Sequence, residues 1–135
     1  MSCEFGIRYI RLKPLKKHII SKSTFIRGQQ CLKSLYLNKN HRELKDELSD
    51  QQRSIFIRGN NVGLLAQQLF PGGVDFTPNE FYNYLPAIEK TQNAINNGVE
   101  VIYEAAFQFD GVLAVLDILV KKKNKWYAYE VKSAA

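Results

Sequence analysis

The last third of the sequence constrains the fold most. Residues 99–131 read VEVIYEAAFQFDGVLAVLDILVKKKNKWYAYEV, a run rich in the β-branched and aromatic residues that strands favour. Two short turn signals interrupt the run: Asp110-Gly111, and a Lys-Asn turn within residues 121–125. Segments joined by such short turns fold back on one another as hairpins. The sequence therefore predicts three consecutive antiparallel strands.

The residues before this region carry helix signals. A serine-rich start followed by apolar residues at near-helical spacing predicts a helix over about residues 22–37. A Thr-Pro start and the glycine at Gly98 predict another helix within residues 77–98, which we expect Pro86 to kink. The overall prediction is a mixed α/β (α+β) fold, with N-terminal helices followed by a three-stranded antiparallel meander.

A further helix is predicted between these two, and it ends at Pro71-Gly72-Gly73. Its apolar stripe consists of Ile55, Val62, Leu65, Ala66 and Leu69. Gly59 and Gly63 lie four residues apart and therefore share one face of this helix. Close packing against another helix is the preferred interpretation of the two glycines, and close approach of a ligand is the alternative.

The composition is that of one soluble domain with a real core. The chain has 135 residues, of which 45% are hydrophobic, and its net charge of +6 favours an anionic partner. Two cysteines make no disulfide framework, and no apolar run approaches the length of a membrane span. We therefore expect a cytoplasmic protein without a membrane partner. Residues 1–19 are predicted to be a basic arm, and residues 20–135 to be the domain.

Asp117 is the residue that most suggests chemistry. It lies in the middle of a strand that is apolar on both faces, and an isolated buried carboxylate costs several kcal/mol unless it is paired, metal-bound or protonated. Period two places Glu130 and Lys132 on one face of the next strand, where the hairpin register brings them beside Asp117. Two carboxylates near the backbone carbonyl of Val131 would suit Mg²⁺ or Mn²⁺. Alternatively, Lys132 bridges both acids as a structural salt bridge.

The order VIYEAAFQFDGVLAVLDILV followed by WYAYEVKS resembles the core of the PD-(D/E)XK nuclease superfamily, particularly its RecB-like, CRISPR-associated exonuclease branch. The resemblance implies that Asp117 and Glu130 bind the metal, that Lys132 is the catalytic lysine, and that Glu104 is a further acidic site residue. The segments ISKSTFIRGQQCLKSLYL and RGNNVGLLAQQLFPGG are similar to the opening of bacterial RecB-like domains of unassigned function. The likeness covers about residues 20–133.

The chain also departs from that family. The metal-binding histidine of many relatives has no counterpart near Gly63. Cys31 resembles the first of four cysteines that hold an iron-sulfur cluster in some relatives, so such a cluster is implied only for a longer chain. A lone cysteine on a helix is more typical of a small core residue. Because the family continues beyond the Glu-x-Lys strand, we expect this chain to be a fragment with an exposed sheet edge that favours self-association.

The resemblance and the charge together predict a metal-dependent nuclease core that acts on DNA, with single strands among the candidate substrates. Phosphate contacts are expected from Lys22, Lys121, Lys122, Lys123 and Lys125. Two alternatives stay open. The first is a non-catalytic nucleic-acid-binding or assembly module on the same fold, and the second is a domain that binds only protein.

Overall fold

A computed structural model describes residues 19–79 and 83–133. These residues form four α-helices, one 3-10 turn and a mixed five-stranded sheet. In chain order the elements are β1 (Ile20–Ser21), α1 (Lys22–Gln30), α2 (Leu32–Asn40), the 3-10 turn (Arg42–Leu44), α3 (Asp50–Gln67), β2 (Val74–Asp75), α4 (Leu85–Asn96), β3 (Val101–Phe109), β4 (Val112–Lys122) and β5 (Lys125–Tyr129). The mixed α/β prediction is confirmed. The predicted basic arm lies outside the described residues, apart from Ile19.

The hairpins of β3, β4 and β5 are the antiparallel strands that the sequence predicts. Asp110 and Gly111 have φ of 44° and 81°, and Lys123 and Asn124 have φ of 47° and 61°. Two adjacent residues with positive φ are the mark of a type I′ turn, whose twist matches that of the flanking strands. The Asp110-Gly111 and Lys123-Asn124 turns therefore form where the sequence predicts them.

The sheet as a whole is mixed, so the antiparallel meander describes only part of it. β1 runs parallel to β4, and β2 runs parallel to β3 on the other side of the sheet. The sheet order is β1-β4-β3-β2, and β5 pairs with β4 beyond the end of β1. β1 and β5 thus share one edge of β4. Strands of two residues carry no periodic signal, which is why the sequence did not predict β1 and β2.

The predicted helix over residues 22–37 is two helices that meet at Cys31. This residue is extended, with φ of −163°, and it is both the C-cap of α1 and the N-cap of α2. Its amide donates to the Arg27 carbonyl, and its Sγ accepts from the Ser34 amide. Cys31 is exposed, so the expectation of a small core residue is wrong. Its sulfur serves as a cap in the position that a hydroxyl usually takes.

Two expectations about α3 and α4 are also wrong: that Gly59 and Gly63 mark a close packing contact, and that Pro86 kinks its helix. The stripe of α3 is largely exposed, as Leu65 at 63% exposure illustrates, and only its C-terminal end reaches the sheet. Apart from the neighbouring backbone of α3 itself, no atom of the described residues would lie within 4 Å of a Cβ at Gly59 or Gly63, so these glycines do not mark a close packing contact here. Pro86 lies in the first turn of α4, where its missing N–H costs no helical hydrogen bond, and it starts the helix rather than kinking it.

The core consists of one cluster on each face of the sheet. On one face α4 packs on Ile102, Ala105 and Leu119. On the other face the end of α3 and Phe70 pack on a cluster made of Tyr103, Ile118 and Val120. None of the described helices is long and apolar enough to cross a lipid bilayer.

Two polar side chains, those of Thr91 and Tyr103, join the helical segments to the sheet through hydrogen bonds. Thr91 of α4 is fully buried, where its Oγ1 donates to the Ala87 carbonyl and accepts from the Ala106 amide of β3. On the other face the Tyr103 hydroxyl donates to the Phe70 carbonyl. Such satisfied polar contacts fix how each helix end sits on the sheet.

Candidate functional site

The site lies where the regular alternation of the two central strands breaks. Ile102 and Ala105 pack on the same face although they are three residues apart, and Leu116 packs with Leu119 although the two are also three apart. Strict alternation would place such residues on opposite faces. The strands therefore change phase between these positions, and Leu116 packs on the face opposite Ile118 and Val120.

Glu104 and Asp117 lie opposite each other at this break. The pairs Tyr103–Ile118 and Ala105–Leu116 flank them, and the ladder skips the position between. Glu104 has φ of 53°, a left-handed conformation that costs a residue with a side chain about 1–3 kcal/mol. Strain of this kind in the middle of a central strand is typical of functional positions. Glu104 and Asp117 are two of the four predicted catalytic residues, and the structure places them side by side.

Asp117 is partly buried and contacts the Glu-x-Lys tripeptide through the backbone. Its Oδ2 accepts a hydrogen bond from the Val131 amide at 2.5 Å. Asp117 lies one residue beyond the last β4–β5 pair, which is Ile118 with Tyr129. The Val131 side chain packs in the core cluster on the α3 face. This anchoring by side chain and amide holds the residues on either side of Val131, Glu130 and Lys132, next to Asp117.

Glu130 lies between two lysines. Its Oε1 accepts from Lys132 Nζ and from Lys22 Nζ, each at 2.5 Å. These hydrogen bonds lower the pKa of Glu130, Lys132 having the larger effect, and the bond to Glu130 raises the pKa of Lys132. Lys22 is the first residue of α1, which β1 places beside the end of β5. Lys132 thus pairs with Glu130, and its hydrogen bonds do not bridge both acids.

Glu104 lies in a strongly negative environment. Its pKa is raised from 4.5 to about 7, first by burial and then by three neighbouring carboxylates. In order of effect these neighbours are Asp117, Asp75 and Glu130. Burial and the charge of Glu104 also raise the pKa of Tyr84, which precedes α4. The cluster therefore favours either a proton on Glu104 or a bound cation.

The donor set suits a hard cation in its chemistry. Within residues 19–79 and 83–133, however, no three His, Cys, Asp or Glu side chains are arranged to share a metal ion. Mg²⁺ and Mn²⁺ are commonly held by one or two carboxylates, with waters and substrate phosphates completing the coordination. Asp117 and Glu104 are the two carboxylates whose positions fit that pattern, and Glu130 would first have to leave its lysine partners.

The basic run at the β4–β5 turn is divided between the two faces of the hairpin. Lys121 lies over the Trp126 ring, with Nζ 5.8 Å from the ring centroid. Lys122 lies over Phe70 and Tyr129 and contacts the Tyr129 hydroxyl at 3.3 Å. The lysines therefore do not form the single patch that their order along the chain indicates.

Sequence reasoning missed Asp75 and Tyr84. Asp75 lies in β2, beside Tyr103 in register, and its Oδ1 accepts from the amide and the hydroxyl of Thr77 at 2.8 and 2.7 Å. Its only sequence signal is an acid followed two residues later by threonine, which is typical of any Asx turn. The parallel pairing of β2 with β3 is what brings this residue near Glu104.

The chain matches no protein-family model, no curated protein and no solved structure at a significant level. The functional conclusion therefore depends on the geometry of the site and on the motif order in the sequence.

Proposed function

We propose that this chain carries the core of a metal-dependent nuclease that hydrolyses phosphodiester bonds in DNA. The observation that carries the proposal is the hydrogen bond from the Val131 amide to Asp117. It joins the acid of one strand to the Glu-x-Lys tripeptide that follows the next strand, directly opposite the strained Glu104. An acid of β3 on one side of β4, and the acid and lysine that follow β5 on the other side, thereby lie around Asp117.

Asp117 and Glu104 would hold Mg²⁺ or Mn²⁺, with Glu130 and the Val131 carbonyl as further oxygen donors. When bound, such an ion polarises the phosphodiester and supplies an activated water. Burial, and after it the repulsion from neighbouring carboxylates, raises the pKa of Glu104; a cation would offset both effects, so that this carboxylate ionises at neutral pH. The carboxylate cluster thus gains more from a cation than isolated surface acids would.

Lys132 would act as a fixed positive charge. Its pKa is raised by the hydrogen bond to Glu130, so it stays protonated at neutral pH. A protonated lysine donates hydrogen bonds to a phosphate or to an attacking water, and it offsets the negative charge that develops on the phosphate. The role of a general base, which needs a neutral amine, is disfavoured.

A second candidate is a non-catalytic nucleic-acid-binding module on the same scaffold. The pairing of Glu130 with Lys22 and Lys132 favours it, because these bonds satisfy the carboxylate without a metal ion. This module would bind DNA equally well in EDTA and in Mn²⁺, whereas the nuclease requires the ion.

Mn²⁺ titration calorimetry distinguishes the two. Asp117→Asn keeps an oxygen that accepts from the Val131 amide but removes the charge, so the fold is retained. The nuclease proposal predicts Mn²⁺ binding by the wild type and its loss in Asp117→Asn. The matched control is Asp46→Asn, since Asp46 is an exposed acid in the loop before α3. Equal Mn²⁺ binding by all three proteins, or by none, would refute a metal site at Asp117 and leave the binding module.

Cleavage is the direct test of the reaction. Labelled DNA incubated with the wild type in Mn²⁺ is expected to be shortened, and Lys132→Met is expected to abolish this without removing Mn²⁺ binding. Lys123→Met, which changes a lysine in the β4–β5 turn, is the control for loss of one positive charge.

A further inference from the structure

Trp126 is the single tryptophan of the chain, and it lies on an open part of the hairpin. Its side chain is 37% exposed, and it is not part of either core cluster among the described residues. Large aromatic side chains usually bury most of their surface, because that burial is their main contribution to stability. Trp126 buries most of its surface in the same way, and the part of the residue that stays open lies beside a lysine.

The β4–β5 register places Trp126 and Lys121 on one face of the hairpin, and Tyr129 and Val131 pack on the opposite face. Trp126 pairs with Lys121, and the next pair on that face is Ala128 with Leu119. Continued alternation leads to Glu130, four residues from Trp126, which corresponds to about 14 Å along the strand. About four stacked nucleotides of a single strand span this distance. Ala128 lies between Trp126 and Glu130 on this face, and its small side chain does not block the path between them.

We propose that Trp126 and Lys121 form a stacking subsite for single-stranded nucleic acid. The Lys121 ammonium, which lies over the indole in the free chain, turns to the adjoining phosphate and leaves the ring face to an unpaired base. The inference rests on the proposed function in taking nucleic acid as the partner. The charge agrees with this occupant, since Lys121 lies beside Trp126 and the chain carries a net charge of +6.

The subsite selects unpaired bases for a physical reason. Every base has a π-face that can stack on an aromatic side chain, so such platforms bind single strands with little sequence preference. In a duplex these faces are covered by the neighbouring base pairs. The proposed nuclease core would therefore act on single strands, or on ends where bases are unpaired.

The test uses the fluorescence of the wild-type chain, excited at the long-wavelength edge of the tryptophan band where its seven tyrosines do not absorb, so that the signal reports on Trp126. The titrants are an oligothymidylate of about ten nucleotides, an abasic oligonucleotide of equal length and a duplex. All titrations are done in EDTA, so the result does not depend on the metal site. We expect the oligothymidylate to quench the fluorescence and to bind more tightly than the other two. Equal affinity for the oligothymidylate and the abasic strand, without quenching, would overturn the proposal.

Two variants separate stacking from charge. Trp126→Ala is expected to weaken oligothymidylate binding about tenfold, as loss of one stacked base does, and to leave abasic binding unchanged. Lys121→Gln is expected to weaken both and to reduce the slope of log affinity against log salt by about 0.7. These two binding measurements use labelled oligonucleotides and fluorescence anisotropy.

The control is Tyr127→Ala, because Tyr127 is 44% exposed and pairs with Val120 on the opposite face. It is expected to change neither affinity. Trp126→Phe keeps an aromatic face and is expected to retain most of the binding, which guards against an unfolded alanine variant. If Trp126→Phe and Trp126→Ala lose affinity equally for both strands, the indole is structural and the subsite is refuted.

Discussion

Replacing Glu104 by glutamine tests whether the buried charge of this carboxylate, among its acidic neighbours, destabilises the folded protein. The variant keeps the length of the side chain and its positive φ, so it isolates the charge from the backbone strain. The difference between the ordinary pKa of 4.5 and the folded value of about 7 corresponds to at most about 3 kcal/mol of unfolding free energy. Solvent screening at this partly buried position reduces the expected gain in metal-free protein to about 1–2 kcal/mol at about pH 8.

The pH dependence follows from the direction of the shift. Below about pH 4.5 the carboxyl is protonated in the folded and the unfolded chain, so wild type and Glu104→Gln should be equally stable. As the pH rises to about 7, the unfolded chain loses this proton before the folded chain does, and the wild type loses stability. Above about pH 7 the loss is complete, and the variant keeps its full advantage.

The assay is urea denaturation in EDTA at about pH 5 and about pH 8, followed by circular dichroism. Glu89→Gln, on the exposed face of α4, is the control and should show no such dependence on pH. Adding Mn²⁺ at about pH 8 should stabilise the wild type and not Glu104→Gln. A glutamine variant that is less stable than the wild type at the higher pH would refute the reasoning, because Glu104 would then be held by attractive contacts.

The remaining predictions concern packing and the lysine partners. Gly73→Ala places a methyl group against the Tyr103 ring and should lower the unfolding free energy by about 1–3 kcal/mol. Gly59→Ala, where the helix surface is open, should raise the unfolding free energy by about 0.5–1 kcal/mol. Equal effects of the two changes in urea denaturation would contradict the contact between Gly73 and Tyr103. Thr91→Val should cost about 1–3 kcal/mol by leaving a strand amide unpaired, and Thr91→Ser should not. Lys22→Met removes one of the two lysine partners of Glu130 and should tighten Mn²⁺ binding about two- to fivefold by calorimetry; unchanged affinity would argue against Glu130 as a ligand.

Much of the β-hairpin region was predictable because its signals are local. The Asp110-Gly111 and Lys-Asn turns have backbone conformations that few residues adopt easily, and they set the register of the strands around them. That register brings Asp117 to the residues around Val131, as the spacing in the sequence indicates. The helix break at Cys31 was missed, because a thiol is an uncommon N-cap and the apolar spacing continues across it.

The acid site was predictable only in part. Asp117, Glu104 and Glu130 follow from strand positions and motif order, but their environments differ in ways that spacing does not encode. Glu104 is partly buried and raised in pKa, whereas Glu130 is paired with lysines at the surface. Parallel pairing of two-residue strands brings in Asp75 and Lys22 from distant parts of the chain, and such short strands leave no pattern in the sequence.

The sequence by itself determined the elements whose signals lie within a few residues: the turns, the three hairpin strands, and the candidate acids and lysine on β3, on β4 and directly after β5. Tertiary structure alone decided the phase change at Glu104 and Asp117, the two lysine partners of Glu130, and the division of the basic run between two faces. The physical reason is the distance along the chain over which each effect acts. Turn and strand propensities act between neighbours, whereas burial, desolvation and charge depend on which distant strands lie side by side.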